Sequence, residues 1–452
     1  MGVVTLLLGG VWGSWPAGAD APREAAPAEN PVAAARWFSL RGAGSCAAAA
    51  CHGNTGPQGR KGCEYTSWME HDPHAKAYTV LLTERSRHML QLYDPAARHG
   101  PQHDTRCLFC HSTDAVLAQR GHPLATQDGV SCERCHGAAQ GWLADHHTTV
   151  WDRWSAQQKA ERGFQDTKDL VNRVRLCAEC HIGTGEYQVD HDLIAAGHPR
   201  LHFEYGAYLA TLKPHWDARA EKTRHPDLEA RVWLIGQVVS AELALRLLAE
   251  RADMAPPADQ PPTQQPWPEF AEYNCFACHH DLQPDGWRRQ QALPGKLPGT
   301  LPWSNWYYAM VPEALATLPE KQQKVTKALT GLRNEMEQPY PTPTRVAAQA
   351  RTSAELLRQC LPRLAEAPAW EVAFLRRRFE DIQQAQHLDV NWDAATQRYL
   401  ALAALYHART DRDRAQRDPK IRAELQALAK KLSFPPGWDS PRDFVPPGER
   451  QP

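Results

Sequence analysis

From Asp227 to Arg251 the apolar residues Leu228, Val232, Ile235, Val239, Leu243 and Leu247 recur every three or four positions. That spacing lines one face of a helix and predicts a long one. His225-Pro226-Asp227 supplies its start. Helical patterns return at 303–337, 343–365, 369–386, 391–410 and 418–432, punctuated by Pro341, Pro343, Pro368 and Pro419. Their short connections imply antiparallel neighbours in a bundle or stacked helical hairpins. Val346-Ala347-Ala348, Leu356-Leu357 and Cys360 read as its core, the cysteine as a small hydrophobe. Residues 41–283, interrupted by that one long helix, show few clean periods, no convincing strand alternation, and many Gly, Pro and His breaks. They read as short helices and long loops, as expected where cofactors rather than side chains fill the core. The expected fold class is therefore mainly α.

The remaining segments divide the chain. Val3 to Trp12 is a short apolar run, followed by the small-x-small site Ala17-Gly18-Ala19. Residues 1–19 thus read as a cleavable secretion signal, although no Lys or Arg precedes Arg23. The Ala/Pro-rich stretch 20–40 is expected to be disordered. Ala255 to Pro268 is a Pro-rich linker, 284–302 a second Pro/Gly-rich linker, and the tail from Phe434 is expected to be irregular. No later run is judged long and apolar enough to span a membrane, so no transmembrane segment is expected in the mature chain. A formal net charge of -1 gives no electrostatic case for nucleic acid or an anionic membrane surface.

The chemistry lies in the cysteines. There are 12, and ten of them form close pairs, each followed at once by histidine. Four pairs keep the spacing Cys-x-x-Cys-His: Cys107/Cys110 with His111, Cys132/Cys135 with His136, Cys177/Cys180 with His181, and Cys275/Cys278 with His279. This is the attachment motif for c-type haem. The two thiols add across the porphyrin vinyl groups, and the adjacent histidine becomes the proximal ligand of the iron. Structural zinc also uses Cys-x-x-Cys, but does not require a histidine after every pair. A thioredoxin-type pair would need a βαβ setting that the pattern lacks. Cys46 and Cys51, with His52, form a variant with four residues between the thiols. It reads as a fifth haem site. The alternative is a disulfide, Cys46–Cys51 or one using Cys63.

Of 21 histidines, all but His387 and His407 lie between His52 and His280. Residues 41–283 are therefore expected to be a multihaem cytochrome domain, and 303–452 a helical scaffold or partner domain. Candidate distal ligands are His74, His147 and His198, with His191 and His122 behind them. Met69, Met89 and Met254 are poor alternatives, so mostly bis-histidine ligation is expected, with lower potentials than His/Met haems.

Several stretches resemble the cytochrome c-554 family. Gly129-Val130-Ser131-Cys132-Glu133-Arg134-Cys135-His136-Gly137 looks like its GVxCExCHG signature, followed by His146-His147. Trp68 with His74-Ala75 looks like its W…HA segment, and Cys107 to His111 occupies the place of its second site. The resemblance covers a little over half of the chain. It implies periplasmic electron transfer through closely packed haems in parallel and perpendicular pairs. The family also includes a member with an open-coordinated haem and minor reactivity toward nitric oxide. The family's type member has four haems where this chain offers five sites, and the region after Pro284 has no recognised counterpart.

The expected function is electron transfer between periplasmic redox proteins through about five haems and their iron, in an exported protein. The alternative is a reductase or oxidase of a small nitrogen or sulfur compound at one open-coordinated haem, with Asp190, Asp192 or Arg200 near His198 serving the chemistry. A third expectation, compatible with the first, is that the C-terminal helices dock a larger redox complex.

Overall fold

The computed structural model describes residues 38–56, 59–113, 126–256, 267–275, 278–279, 300–385 and 391–433. The expected signal at 1–19, most of 20–40, the linker through 299, His122 and the tail from Phe434 lie outside the described residues. Among those described, the chain is helical and contains no strand. The mainly α class is as expected.

The helices that build and support the cysteine motifs are α1 (Glu64–His71), α2 (Thr105–His111), α3 (Cys132–His136), α4 (Leu170–His181) and α5 (Leu228–Asp253). The C-terminal part contributes α6 (Pro319–Met336), α7 (Pro343–Arg358), α8 (Val372–Gln384), α9 (Trp392–Arg412) and α10 (Pro419–Leu432). In this part α6 packs on α7, α8 on α9, and α9 on α10. The starts follow from local chemistry. The Asn391 side chain accepts from the Ala394 N–H at 2.9 Å at the start of α9, and Asp418 caps α10 ahead of Pro419.

Helix α5 is the axis of the molecule. Its sequence stripe suggests one buried face, but Trp233, Val238, Leu245 and Leu248 are buried as well, so almost the whole circumference is covered. α7 packs along it, with α4 and α9 against other sides. A helix apolar on every side must be enclosed. By length and composition α5 is the one described helix that could cross a membrane, which corrects the judgement that no later run qualifies. Its surroundings are protein: 89% of its most apolar window is buried. The carboxylate of Asp227, just before α5, takes the Trp370 N–H at 2.8 Å and holds Arg231 at 3.2 Å. Midway, Glu242 is fully buried and pairs with Arg175 of α4 at 2.5 Å and Arg246 at 2.9 Å.

One contiguous core thus runs from Leu170 and Val174 in α4, through α5, to Leu357 and Cys360 near the end of α7 and Leu405 of α9. It crosses the 284–302 segment that the sequence divides into two domains. At the other end of the chain, Phe38 and Leu40 close the stretch expected to be disordered, yet they pack with Ala138.

Candidate functional site

Helices α2, α3 and α4 each end on a motif histidine. In a helix, positions i, i+3 and i+4 share one face. Cys-x-x-Cys-His therefore presents two thiols and an imidazole to one side without further instruction. The first motif differs. Cys46 ends a short turn from Ala43, and the extra alanines loop back, with Gly53 N–H donating to Ala48 O at 3.0 Å.

All four motifs from Cys46 to His181 open into one cavity of about 2920 Å³. Pockets for single small ligands hold roughly 300–1,000 Å³, so this one suits several large groups. Its wall is lined by Cys46, Cys51, Cys107, Cys110, Cys132, Cys135, Cys177 and Cys180, and by His52, His111, His136 and His181. His74, His146, His147, His198 and His215 line it too. All twelve cysteines are free thiols, with neither a Cys46–Cys51 disulfide nor one to Cys63. Among the described residues no group of three or more His, Cys, Asp or Glu could hold a metal ion by itself.

The last motif stands apart from the other four. Cys275, Cys278 and His279 do not line the cavity. Cys275 is half-buried beside Arg200, which donates to its thiol at 3.0 Å. Cys278, expected as the second haem-attaching thiol, is exposed, as Cys51 and Cys135 are, and lies outside the cavity that those two line. The reason is local. The other Cys-x-x-Cys-His motifs end helices packed into the wall, whereas Cys278 sits on a single turn. That turn is closed by the Cys278 and His279 N–H groups donating to Cys275 O, at 3.2 and 2.8 Å. The turn keeps Cys275, Cys278 and His279 together in sequence order but away from the interior.

The third motif shows how the wall is fixed. Glu133, between its cysteines, accepts the N–H groups of Arg41 (2.9 Å), Gly42 (2.7 Å) and Ala139 (2.7 Å). It thereby ties the entry to the first motif onto the third. Both glycines that bracket the signature are required. Gly129 has φ +66, and a Cβ there would meet His74 O at 2.7 Å; Gly137 has φ +81 and would meet Gly163 O at 1.9 Å. Trp68 donates its indole N–H to Val130 O at 3.0 Å, joining α1 to the same turn. Motifs also touch each other. The Cys46 and Cys132 thiols lie side by side, which holds Cys46 below the ordinary thiol range. Cys110 and Cys180 do the same, and Arg134 adds its N–H to Cys180 at 3.5 Å.

Four of the five motif histidines face another histidine. Ring centroids are 6.1 Å apart for His52 and His146, 6.4 Å for His136 and His215, 6.0 Å for His181 and His74, and 6.4 Å for His279 and His191. An imidazole nitrogen lies about 2 Å from a metal it ligates, so two rings sharing one iron have centroids roughly 6 Å apart. The residues therefore fit haem iron. Among the described residues His111 has no histidine ring at this spacing; His198 is near enough to feel its charge and has its Nδ1 2.8 Å from Pro199 O. Of the sequence candidates, His74 and His191 face motif histidines. His147 stands beside His146, at 5.5 Å, and it is His146 that faces His52. His215 carries no sequence signal; its buried Nδ1 lacks a partner.

Electrostatics sort these imidazoles. Burial pushes His136 and His181 down to about 4, helped by neighbouring imidazoles. Both are neutral near pH 7, the form that ligates a metal. Burial also lowers His215 and His198. For His74, burial opposes the charge but Asp72 at 2.8 Å outweighs it and raises the group. Glu64, at 2.9 Å, raises His52 in the same way. Asp190 and Arg200 are already engaged. Asp190 accepts from Tyr93 Oη at 3.0 Å, and Arg200 donates to Ala271 O at 3.1 Å besides Cys275.

No curated protein and no solved structure matches the chain. Residues 45–137, which hold the first three motifs, match the family model described as cytochrome c554 and c-prime. That segment is similar to this family, and together with the motif spacing the similarity supports a c-type cytochrome with covalently bound haem c and iron in electron transfer.

Proposed function

We propose that the chain is a periplasmic electron carrier holding five haems c, four of them with two histidine ligands in the assignment His52/His146, His136/His215, His181/His74 and His279/His191. His198 is the distal candidate for the iron at His111. The observation that carries the reading is the common ring spacing of 6.0–6.4 Å at four motif histidines. Haem supplies one-electron chemistry at its iron. The chain's residues fix the porphyrins, keep His136 and His181 neutral by burial and exclude water. The Cys46/Cys132 and Cys110/Cys180 contacts support two close haem couples, first with third and second with fourth, because those sulfurs are the anchors of porphyrin edges. The first contact also supports a haem at the four-residue spacer. At the last motif, attachment through Cys275 and the exposed Cys278 is supported by the spacing and by His191 facing His279, and not by the shared cavity. Exported protein made with a working cytochrome maturation system should gain five haems by intact mass. Four would remove one site, which peptide mapping of the thioether-bearing cysteines would identify, and none would end the reading.

A second reading is favoured at one place only. Among the described residues His111 has no facing histidine ring at ligand distance, so its iron is where a small exogenous ligand would bind and a reductase or oxidase would work. EPR of the oxidised protein separates the two. Five low-spin signals support the carrier, whereas a high-spin ferric haem that binds cyanide or nitrite supports catalysis at His111. Periplasmic partners follow from the export reading, and a fractionation placing the haem protein in the cytoplasm would remove them.

A further inference from the structure

Five of the histidines assigned to irons have a fixed acceptor at Nδ1, and the acceptors are of two kinds. His111 has Ala77 O at 2.8 Å, His146 has Leu143 O at 2.6 Å, and His198 has Pro199 O at 2.8 Å. Those are neutral carbonyls. His52 instead has the Glu64 carboxylate at 2.9 Å, and His74 has the Asp72 carboxylate at 2.8 Å. In every case Nδ1 is engaged, which leaves Nε2 to face the iron.

A carboxylate acceptor makes an imidazole a more basic ligand than a carbonyl does. More electron density on the axial nitrogen stabilises ferric over ferrous iron and lowers the potential. The backbone fixes both carboxylates in place. The Asp72 Oδ1 that holds His74 Nδ1 also accepts the His74 N–H at 2.9 Å, capping the turn Pro73–Lys76. Glu64 accepts the Gly62 N–H at 2.9 and 3.1 Å. Asp72 is 7% exposed, and the Glu64 side chain 25%. Solvent therefore screens Asp72 less, and its charge acts more strongly. The two serve different irons, since His52 faces His146 and His74 faces His181.

We propose that Glu64 and Asp72 are positioning residues that set haem potential, holding the irons at His52/His146 and His181/His74 below the iron at His111, with Asp72 the stronger of the two. Electrons entering the molecule then settle on the His111 haem before either of these. This rests on the ligand assignment given above.

The test uses full-length, haem-loaded protein carrying Asp72→Asn or Glu64→Gln. Each amide keeps the shape and the oxygen that accepts the ring and backbone N–H groups, but removes the charge. Spectropotentiometric titration followed by EPR should show one midpoint per variant moving to more positive potential, by at least about tenfold in that haem's oxidised-to-reduced ratio at fixed poise, or 59 mV for one electron. The two variants should move different midpoints, Asp72→Asn by more, and Asp72→Glu should restore the parental value. Unmoved midpoints with all haems present, a shift shared by every haem, or one midpoint moved by both variants overturns the proposal. Failure of the underlying assignment reads out separately: His74→Ala would then leave every haem low-spin.

Discussion

His146 and His147 are adjacent, and their rings stand 5.5 Å apart at 78°, yet only one reaches the first motif. The turn after Ala139 decides which. His146 N–H donates to Trp142 O at 3.0 Å, so the His146 ring lies one helical turn above Trp142, 5.5 Å from it, and points at His52. One residue further on, the side chain is rotated by about 100° and misses. His146→Ala should convert one haem to high spin in the EPR spectrum, and His147→Ala should leave all of them unchanged; the reverse result would return the ligand to His147. The spacing after the third motif points to His147 and cannot separate it from His146, because the choice depends on the phase of the turn that begins at Trp142. His215 was beyond reach altogether, since it comes to face His136 only across the fold. Cys278 shows the converse: its spacing is as regular as that of Cys110, Cys135 and Cys180, and nothing in that spacing tells that it stands exposed outside the cavity they share. The glycines of the third motif were legible as signature letters, but their reason is steric. Gly137→Ala places a Cβ against Gly163 O at positive φ, so a cost of at least about 2 kcal/mol is expected, read as a lower melting temperature of the haem-loaded protein. An unchanged melting temperature would show that the turn can relax.

Elements were easier to read than ligands wherever apolar period and proline stops agreed. The expected helix at 343–365 appears as α7 and Leu361–Ala365, and 391–410 appears as α9, because both carry a buried stripe between clear breaks. In the cysteine-rich part the helices are as short as four residues, and Cys132–His136 could not be inferred from period at all. The Gly137 N–H donating to Glu133 O at 3.0 Å closes it, and its turn puts two thiols and an imidazole on one side. For α5 the stripe gave the element but undercounted its burial, because helices from both halves of the sequence cover it. Glu242 marks the joint. It is fully buried in an otherwise apolar stretch and joins α5 to Arg175 on α4, the helix that ends in Cys177, Cys180 and His181. Glu242→Ala leaves Arg175 without its carboxylate, a change expected to cost about 3–5 kcal/mol. Denaturant unfolding followed by far-UV circular dichroism measures it. A change below about 1 kcal/mol would mean that Arg175 finds solvent, as a partly exposed pair allows.

At the scale of the molecule, the cysteine motifs and the apolar core do not divide the chain at the same place. All five motifs end by His279, while the apolar core that braces the fourth motif is completed by α7 and α9, beyond residue 340. Composition changes at the proline-rich segment because the cofactor-bearing loops stop there; the core does not stop with them. A sequence divides at the first and gives no sign of the second, since contacts between α5 and α7 join residues about a hundred positions apart. This bears on how the C-terminal helices can be tested for a docking role. Deleting residues 300–452 removes the cover from Val238, Leu245 and Leu248, each fully buried. It also strips the apolar faces of a helix that is long and apolar enough to enter a bilayer. An exposed patch of that kind drives association. The truncated protein is therefore expected to aggregate or partition into membranes before any partner is tested, with loss of the monomer peak on size-exclusion chromatography. If instead it stays monomeric and keeps every haem, the helices are a separable module, and loss of a partner on truncation becomes evidence for docking. A milder probe leaves the core intact: Leu245→Ala is expected to cost about 2–5 kcal/mol, and it should lower stability without altering the number of covalent haems, because attachment depends on the motif helices and not on the brace behind them.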